Sequence, residues 1–279
     1  MLFDAGQIEQ LTFKALELAK RAGEKIVEVY ETEFEVSIKS DNTPLTTADL
    51  EAHNIIVDGL RKLDLDVPVL SEESSGIPFS ERNDWTTYWL VDPLDGTREF
   101  IKRNGEFTVN IGLIEEGAPI IGVVYAPVLG VAYYAASGFG AWKQIDGEEP
   151  VRIQVREAPK DRVTVARSRS PVTGPNMQQF LNRLGDHDEV AVGSALKSCL
   201  VAEGVADVYA RLGPTSEWDT GAAQCIVTEA GGKVTDIRMR ELRYNTRESL
   251  INPHFFVFGR ENDRNWSDYL PPDIAEFSV

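Results

Sequence analysis

Cysteine and histidine are scarce in this chain, which has two cysteines and three histidines among 279 residues. That count excludes a disulfide framework, and Cys199 and Cys225 each lie within an apolar helical pattern that is typical of a buried free thiol. The histidines lack the spacing of a zinc site. The sequence therefore favours a protein of a reducing compartment over a disulfide-rich secreted one.

Long apolar runs and excess basic charge are also missing. No stretch approaches the ~20 apolar residues of a membrane span, and the start, MLFDAGQIEQ, has neither the basic nor the apolar region of a signal peptide. The net charge of −17 opposes general binding to nucleic acid or anionic lipid, because both are negatively charged. We expect a cytoplasmic protein with no nucleic-acid partner, and the sequence leaves open a peripheral contact with the cytoplasmic face of the inner membrane.

What remains is the composition of an ordinary globular protein, with 42% hydrophobic and 26% charged residues. From Ile8 to Val29 the apolar residues recur at three- and four-residue steps, which predicts an amphipathic helix. Three β-rich runs between Thr108 and Ala135 are typical of an antiparallel meander. From Val163 onwards, predicted strands alternate with predicted helices.

These patterns together predict a layered α/β sandwich, in which helix and sheet layers alternate. Charged residues and two prolines interrupt the pattern between Gly147 and Asp161, which indicates a boundary between two lobes. The N-terminal α+β lobe would comprise residues 1–155, and the C-terminal α/β lobe would comprise residues 156–279.

The segment WLVDPLDGTR, from Trp89 to Arg98, brings a strand and two carboxylates close together. Its apolar start predicts a buried strand that ends at Asp92, because Pro93 has no N–H to donate to a strand ladder. Asp95 follows three residues after Asp92. A turn between them would place both carboxylates in one small volume, where they repel each other unless a cation binds.

The same segment also suits an anion. Gly96 permits a positive φ, and the N–H groups of Gly96, Thr97 and Arg98 could form a nest or a first helical turn for a phosphate. Asp-Pro-x-Asp-Gly is equally typical of a plain surface turn. The segment by itself does not decide between a site and a turn, so the interpretation depends on acids elsewhere in the chain.

Further acids lie at the ends of predicted elements. Glu72 and Glu73 follow a short predicted strand, and only one of two adjacent side chains can face a given site. Asp49 falls in the first turn of the predicted second helix, where a carboxylate favours the helix dipole. Asp219 has the position of a helix cap. Each acid, taken alone, is explained by solvation or by capping.

Taken together, these residues match one known pattern, and the chain resembles the inositol monophosphatase-like superfamily of metal-dependent, lithium-sensitive phosphatases. WLVDPLDGTREFIK resembles the first signature of that superfamily, and WDTGAAQCIVTEAGG resembles the second, with Gly221 where Ala or Cys is usual. Within the superfamily, the resemblance is to bacterial 3'(2'),5'-bisphosphate nucleotidases. It rests on SEE at 71–73, DPLDGTREFIKRNGEFTVNIGLI at 92–114, GVVYAP at 122–127, GSALKSCLVAEG at 193–204 and YNTRESLINP at 244–253.

The resemblance implies a Mg²⁺-dependent phosphatase with two or three ions. It assigns as metal ligands the carboxylates of Glu72, Asp92, Asp95 and Asp219 and the main-chain carbonyl of Leu94. Oxygen ligands without histidine or cysteine are those that Mg²⁺ prefers, so the local chemistry agrees with the implied cofactor. The amides of Gly96 and Thr97 would hold the scissile phosphate.

The resemblance also implies a reaction, the removal of the 3'-phosphate of adenosine 3',5'-bisphosphate to give AMP and phosphate. The Thr97 hydroxyl, paired with Asp49, would orient the attacking water and help to deprotonate it. The small-molecule nucleotide would contact Lys39, Glu72, Leu94, Asp95, Gly96, Thr97, Ser194, Lys197, Asp219 and Arg247.

The same residues also bear on other possible functions. A haloacid-dehalogenase phosphatase has its nucleophile and acid two residues apart, whereas Asp92 and Asp95 are three apart, and no P-loop is present. An inositol or sugar monophosphatase would use the same scaffold. A nucleotide sensor without chemistry would bind only the metal and the phosphate, and the presence of both Thr97 and Asp49 argues against it. The choice between adenosine 3',5'-bisphosphate, sulfated adenylate and inositol phosphates stays open.

Overall fold

The computed structural model describes residues 2–33, 36–38, 44–63, 65–169, 174–260 and 264–274. Within these ranges the α-helices are α1 (Ala5–Tyr30), α2 (Thr47–Arg61), α3 (Phe79–Arg82), α4 (Thr97–Ile101), α5 (Pro175–Leu184), α6 (Leu196–Ala202) and α7 (Gly221–Glu229). Three short 3₁₀ helices cover Glu72–Ser74, Glu217–Asp219 and Trp266–Tyr269. No helix in the described ranges is both long enough and apolar enough to cross a membrane.

The first helix confirms the amphipathic helix that the sequence predicts. Its N-terminus is set by Asp4, whose carboxylate accepts the N–H of Gln7 at 2.9 Å while the Gln7 side chain accepts the N–H of Asp4 at 2.9 Å. This reciprocal pair is a capping box, which satisfies donors that a helix start leaves unpaired. The capping box explains why the helix begins before the first apolar residue of the periodic pattern.

The larger of the two main sheets has seven strands. In spatial order its strands are β3 (Val69–Ser71), β4 (Thr87–Asp95), β5 (Thr108–Glu115), β6 (Ala118–Ala126), β7 (Val131–Ala136), β8 (Gly140–Ile145) and β9 (Val151–Ile153). The first pair is parallel and the others are antiparallel. The predicted meander is confirmed, and β8 and β9 extend it. A separate two-stranded sheet pairs β1 (Val36–Ile38) with β2 (Pro44–Thr46).

The second main sheet has five strands. They are β10 (Val163–Arg167), β11 (His187–Ala191), β12 (Val208–Arg211), β13 (Lys233–Asp236) and β14 (Phe255–Phe258), in the spatial order β11-β10-β12-β14-β13. Strand β10 is parallel to both of its neighbours, whereas β14 is antiparallel to both of its own. The carboxyl ends of β10 and β12 therefore lie at the same edge of this sheet.

The helices and sheets stack as alternating layers, which confirms the predicted layered α/β sandwich. Helices α1 and α2 cover one face of the seven-stranded sheet, where Ile26 and Trp89 belong to one core cluster. Helices α6 and α7 lie between the two sheets, with Leu90 and Ile226 in a second cluster. Helix α5 covers the outer face of the five-stranded sheet, where Phe180 packs in a third. The division into lobes at residue 155 stays a prediction.

Strand β4 does not end at Asp92, and that prediction is wrong. The strand continues through Pro93 to Asp95, but its register against β5 shifts, since Asp92 pairs with Asn110 and Asp95 pairs with Thr108. An advance of three residues along β4 thus corresponds to an advance of two residues along β5. The extra residue on β4 makes this a β-bulge. A bulge tolerates proline because one residue there is left out of the ladder.

Candidate active site

The bulge of β4 sets the geometry around which the cleft is built. It buries Asp92, whose side-chain Oδ1 accepts the N–H of Leu94 at 3.1 Å, and it turns Asp95 toward the cleft. Gly96 follows with φ +92° and ψ +39°, and helix α4 begins directly after it at Thr97. Positive φ is costly for residues with a Cβ, so glycine is needed for this sharp change from strand to helix.

Three carboxylates meet at this point of the fold. One oxygen from each of Asp92, Asp95 and Asp219 lies within 4.8 Å of the others. Asp219 reaches the cluster from the 3₁₀ helix Glu217–Asp219, where its Oδ2 accepts the N–H of Ser216 at 3.0 Å. The cluster joins Asp219 to two acids that precede it by more than a hundred residues in the chain.

The charges in the cluster repel one another. Burial raises the pKa of Asp92 well above its usual value, and the charges of Glu72, Asp95 and Asp219 raise it further. Burial also raises the pKa of Asp219, followed by the charge of Asp95. A cation would relieve this repulsion, and a cluster of carboxylate oxygens suits a hard divalent ion such as Mg²⁺. The donor set therefore fits the implied metal.

Glu72 lies near these acids but is not one of the three whose oxygens lie within 4.8 Å of one another. It opens the 3₁₀ helix that follows β3, and β3 runs parallel to β4 with Ser71 opposite Val91. Parallel neighbours end at the same sheet edge, which brings Glu72 toward Asp92. Its effect on the pKa of both Asp92 and Asp219 agrees with that placement.

The two predicted catalytic residues are in contact. The Thr97 hydroxyl lies 3.3 Å from Oδ1 of Asp49, to which it can donate, and 3.4 Å from the carbonyl oxygen of Leu94. Asp49 is buried in the first turn of α2, and its Oδ2 accepts both the N–H and the hydroxyl of Thr46. The capping and catalytic interpretations of Asp49 are therefore compatible, because its two oxygens serve different partners.

A cleft with a volume of about 370 Å³ opens beside the acids, and its walls include Asp95, Gly96 and Asp219. This volume is typical of small-molecule sites. Ser194 and Lys197, two predicted substrate contacts, also line it. The remaining predicted contacts, Lys39 and Arg247, have different outcomes: Lys39 lies outside the described residues, and Arg247 does not line the cleft.

Ser194 and Lys197 make internal bonds as well. The Ser194 hydroxyl lies 2.5 Å from Oδ2 of Asp95 and 2.5 Å from the Thr108 hydroxyl. The Lys197 ammonium donates to the carbonyl of Ser194 and lies 5.4 Å from the centre of the Tyr209 ring. Burial lowers the pKa of Lys197, which the nearby Asp95 partly offsets. Both side chains are thus ordered by the protein itself.

The turn that carries Ser194 is held by a neighbour. The carboxylate of Glu106 accepts the N–H of Gly193 at 3.0 Å, and the Arg169 guanidinium donates to the same carboxylate. The hydrogen bonds from Arg169 lower the pKa of Glu106. A Cβ at position 193 would lie 2.4 Å from the carbonyl oxygen of Glu106. Only glycine fits that close approach, which brings Ser194 next to Asp95.

Arg247 points elsewhere for a structural reason. The segment 244–253 packs against the loop that carries Asp219: Leu250 accepts the N–H of Glu217 at 2.8 Å, and the Asn252 side chain donates to the carbonyl of Ser216 at 2.6 Å. Within this segment the Arg247 guanidinium donates to the carbonyl of Ile251 at 2.5 Å. The segment thus supports the acid-bearing loop, and the structure gives no support for Arg247 as a substrate contact.

The cleft wall also includes three arginines and a tyrosine whose side chains the sequence analysis did not predict as substrate contacts. They are Arg98, Arg167, Tyr209 and Arg211. Arg167 and Arg211 are the last residues of β10 and β12, whose carboxyl ends share one sheet edge. Ligands of α/β sheets bind at such edges. The arginines that end these two strands, Arg167 and Arg211, were therefore a signal in the sequence that the sequence analysis missed.

The chain is similar to known proteins in family, in sequence and in structure. The profile of the inositol monophosphatase family matches residues 7–265. The 3'(2'),5'-bisphosphate nucleotidase CysQ of Salmonella typhimurium is 51% identical over 243 residues, which are 86% of this chain and 96% of that protein. The crystal structure of CysQ from Bacteroides thetaiotaomicron has a TM-score of 0.79 at 39% identity and covers 91% of this chain and 98% of its own. The 2'AMP-bound structure of SaIMPase-II has a TM-score of 0.76 at 26% identity and covers 95% of each chain.

Proposed function

The chain belongs to the inositol monophosphatase family, and on that premise we propose that it removes the 3'-phosphate of adenosine 3',5'-bisphosphate to give AMP and phosphate. The resemblance drawn from the two sequence signatures is thereby confirmed. The single structural observation that carries the proposal is the contact of Thr97 with Asp49 beside the cluster of Asp92, Asp95 and Asp219. Thr97 follows Gly96, which lines the cleft together with Asp95 and Asp219, so a group of acids suited to a metal and a proton acceptor would lie close together, as metal-assisted hydrolysis of a phosphate ester requires.

We propose two or three Mg²⁺ ions as the cofactor. The ligands would be Glu72, Asp92, Asp95, Asp219 and the carbonyl of Leu94. Such ions, when bound, lower the pKa of an attacking water and neutralise charge on the phosphoryl group. The crowded carboxylates support this assignment, because their mutual repulsion favours a cation at their centre.

The chain's own residues would position the reactants and move the proton. The backbone N–H groups of Gly96 and Thr97 would hold the phosphate that is removed. As a water oxygen bonds to phosphorus and the bond to the 3'-oxygen breaks, the Thr97 hydroxyl would take the proton of that water and pass its own to Asp49. The departing 3'-oxygen would then leave with a proton from solvent.

The electrostatics of the cleft favour a substrate with a second anionic group. The chain carries a net charge of −17, yet Lys197, Arg167 and Arg211 line the same cleft. These side chains come from α6, β10 and β12, whereas Asp92 and Asp95 come from β4. A bisphosphate offers them a second phosphate, whereas inositol monophosphate does not. This favours the bisphosphate over the alternative of an inositol or sugar monophosphatase.

The relatives support the same substrate class. The CysQ proteins are named as 3'(2'),5'-bisphosphate nucleotidases, and SaIMPase-II has been solved with 2'AMP, a nucleotide, in place. A non-catalytic nucleotide sensor is disfavoured by the Thr97–Asp49 contact. The cytoplasmic location and the peripheral membrane contact stay predictions.

Phosphate release tests the proposal directly. The purified protein is assayed with Mg²⁺ on adenosine 3',5'-bisphosphate, inositol 1-phosphate and fructose 1,6-bisphosphate, with AMP as a control that retains only the 5'-phosphate. We expect the highest kcat/KM for adenosine 3',5'-bisphosphate and negligible release from AMP. An equal or higher kcat/KM for inositol 1-phosphate would instead establish the monophosphatase alternative.

A further inference from the structure

The base of the proposed reaction is itself held by a neighbouring hydroxyl. Thr46 is the N-cap of helix α2, and Asp49 occupies the third helical position, so that the two form a capping box. Both side chains are buried, with 2% of each exposed. A helix cap of this kind normally serves only the helix, but here its partner is also the acid that contacts Thr97.

The two oxygens of Asp49 have different partners. Oδ2 accepts the backbone N–H of Thr46 at 2.7 Å and the hydroxyl of Thr46 at 2.6 Å. Oδ1 lies 3.3 Å from the hydroxyl of Thr97. A carboxylate is planar, and its rotation about the Cβ–Cγ bond is broad when nothing restrains it. Two donors on Oδ2 restrain that rotation, and the direction of Oδ1 toward Thr97 follows.

The length of the acid matters to this arrangement. The capping box usually has glutamate or glutamine in the third position, whose longer side chain reaches back to the cap with flexible torsions. Aspartate has a shorter side chain with fewer torsions, so that its remaining oxygen is placed more narrowly. A hydrogen bond from Thr46 to Oδ2 of Asp49 is therefore well suited to orient the other oxygen, Oδ1, toward Thr97.

We propose that the Thr46 hydroxyl is a positioning residue that aims Oδ1 of Asp49 at Thr97. This inference rests on the proposed function, since it assigns Thr46 a part in the same proton transfer. The two hydrogen bonds that Thr46 donates here both go to Oδ2 of Asp49. It acts through the orientation of Asp49, and its loss should lower turnover without changing substrate affinity.

A second capping box in the chain provides a matched control. Asp4 and Gln7 form the same reciprocal pair at the start of α1, which covers the outer face of the seven-stranded sheet. Removing the Asp4 side chain weakens a helix cap without touching the cleft. A comparison of Asp4 variants with Thr46 variants therefore separates the effect of losing a helix cap from the effect of losing the orientation of Asp49.

The experiment compares Thr46→Val, Thr46→Ser and Asp4→Ala with the wild-type protein. Kinetics are measured on adenosine 3',5'-bisphosphate, Mg²⁺ binding by calorimetry and stability by thermal unfolding. Valine keeps the shape and the N–H but removes the hydroxyl, so kcat should fall by about 10-fold to 100-fold, a part of what a positioned proton acceptor contributes. KM and Mg²⁺ affinity should stay unchanged. Thr46→Ser should restore most of the turnover, and Asp4→Ala should lower only the unfolding temperature.

A double variant tests whether the effect passes through Asp49. If Thr46 acts by aiming that carboxylate, Thr46→Val should cause no further loss of kcat in an Asp49→Asn background, because residues that act as one unit are not additive. Full turnover of Thr46→Val, an equal loss in Thr46→Ser, or a multiplicative loss in the double variant would each overturn the inference. A wild-type protein that releases no phosphate would overturn the proposed function instead.

Discussion

The hydroxyl of Ser194 donates a hydrogen bond to Oδ2 of Asp95 at 2.5 Å. Asp95 ends β4 of the seven-stranded sheet, whereas Ser194 precedes α6, which packs against the five-stranded sheet. This hydrogen bond therefore connects a proposed metal ligand on the seven-stranded sheet with a proposed substrate contact at the start of α6. Nucleotide binding and metal binding in the cleft are expected to influence each other through it.

Replacement of Ser194 by alanine should weaken Mg²⁺ binding as well as substrate binding. The hydroxyl removed is a donor to a carboxylate, a class of bond worth about 1.5–3 kcal/mol, and Asp95 would lose its restraint. Calorimetric titration of the substrate-free protein with Mg²⁺ measures this effect. Ser198→Ala is the control, since Ser198 lines the same cleft from α6 and should leave Mg²⁺ affinity unchanged. Unaltered Mg²⁺ affinity in Ser194→Ala would show that the bond has no role in the metal site.

Asp219→Asn should stabilise the metal-free protein and weaken Mg²⁺ binding. Asparagine keeps an oxygen to accept the N–H of Ser216 but removes one of the crowded charges. The expected gain in unfolding free energy is about 0.5–2 kcal/mol. Thermal unfolding with and without Mg²⁺ measures both effects. If Mg²⁺ stabilised the variant as strongly as the wild-type protein, Asp219 would not be a ligand.

The stability difference between Asp219→Asn and the wild-type protein should grow as the pH rises. Burial and neighbouring carboxylates raise the pKa of Asp219 and Asp92 in the folded protein. Protonation therefore stabilises the fold fully below the ordinary aspartate pKa of about 3.9, and this contribution is lost as the pH rises through the raised folded-state value. The free energy of unfolding of both metal-free proteins is measured from about pH 3.9 up to the raised pKa of Asp219, which is about 8. This measurement shows whether the difference between the two proteins grows with pH. A difference that shrinks with rising pH would contradict the proposed repulsion.

Thr97→Ala should abolish most turnover while substrate still binds. The variant keeps the backbone N–H for the phosphate and loses the hydroxyl that contacts Asp49, so kcat should fall by about 10²–10⁴. Thr97→Ser is the control that retains the hydroxyl and should retain activity. Steady-state kinetics separate the two effects, since a raised KM with unchanged kcat would make Thr97 a binding residue only.

Activity should require Mg²⁺ and should be suppressed by Li⁺. The oxygen-only ligand set predicts the first effect, and membership of the family supports both. Phosphate release is measured after exhaustive chelation, after restoration of Mg²⁺, and at increasing Li⁺ concentration. Full turnover of the chelated protein would disprove the metal-dependent mechanism.

The sequence alone identified the elements whose signals are local. The apolar period of α1 and the β-rich runs of the meander are set by neighbouring residues, and the structure confirms both. The acids were found in the same way, because each follows an apolar run or opens a helix. Asp92, Asp95 and Asp219 do meet in space, but their roles as ligands came from a resemblance and stay a proposal.

Only the tertiary structure decided how these local elements meet. The bulge at Pro93 depends on pairing with β5, so strand propensity could not show that β4 continues to Asp95. The side chain of Arg247 turns to Ile251 because its segment packs on the Asp219 loop, whereas Arg211 reaches the cleft because β12 lies parallel to β10. The double use of Asp49, with one oxygen on Thr46 and the other toward Thr97, is a matter of a few torsion angles. The bond to Thr46 is local, but Thr97 lies 48 residues away from Asp49 in the chain, and a periodic pattern carries no information about so distant a contact.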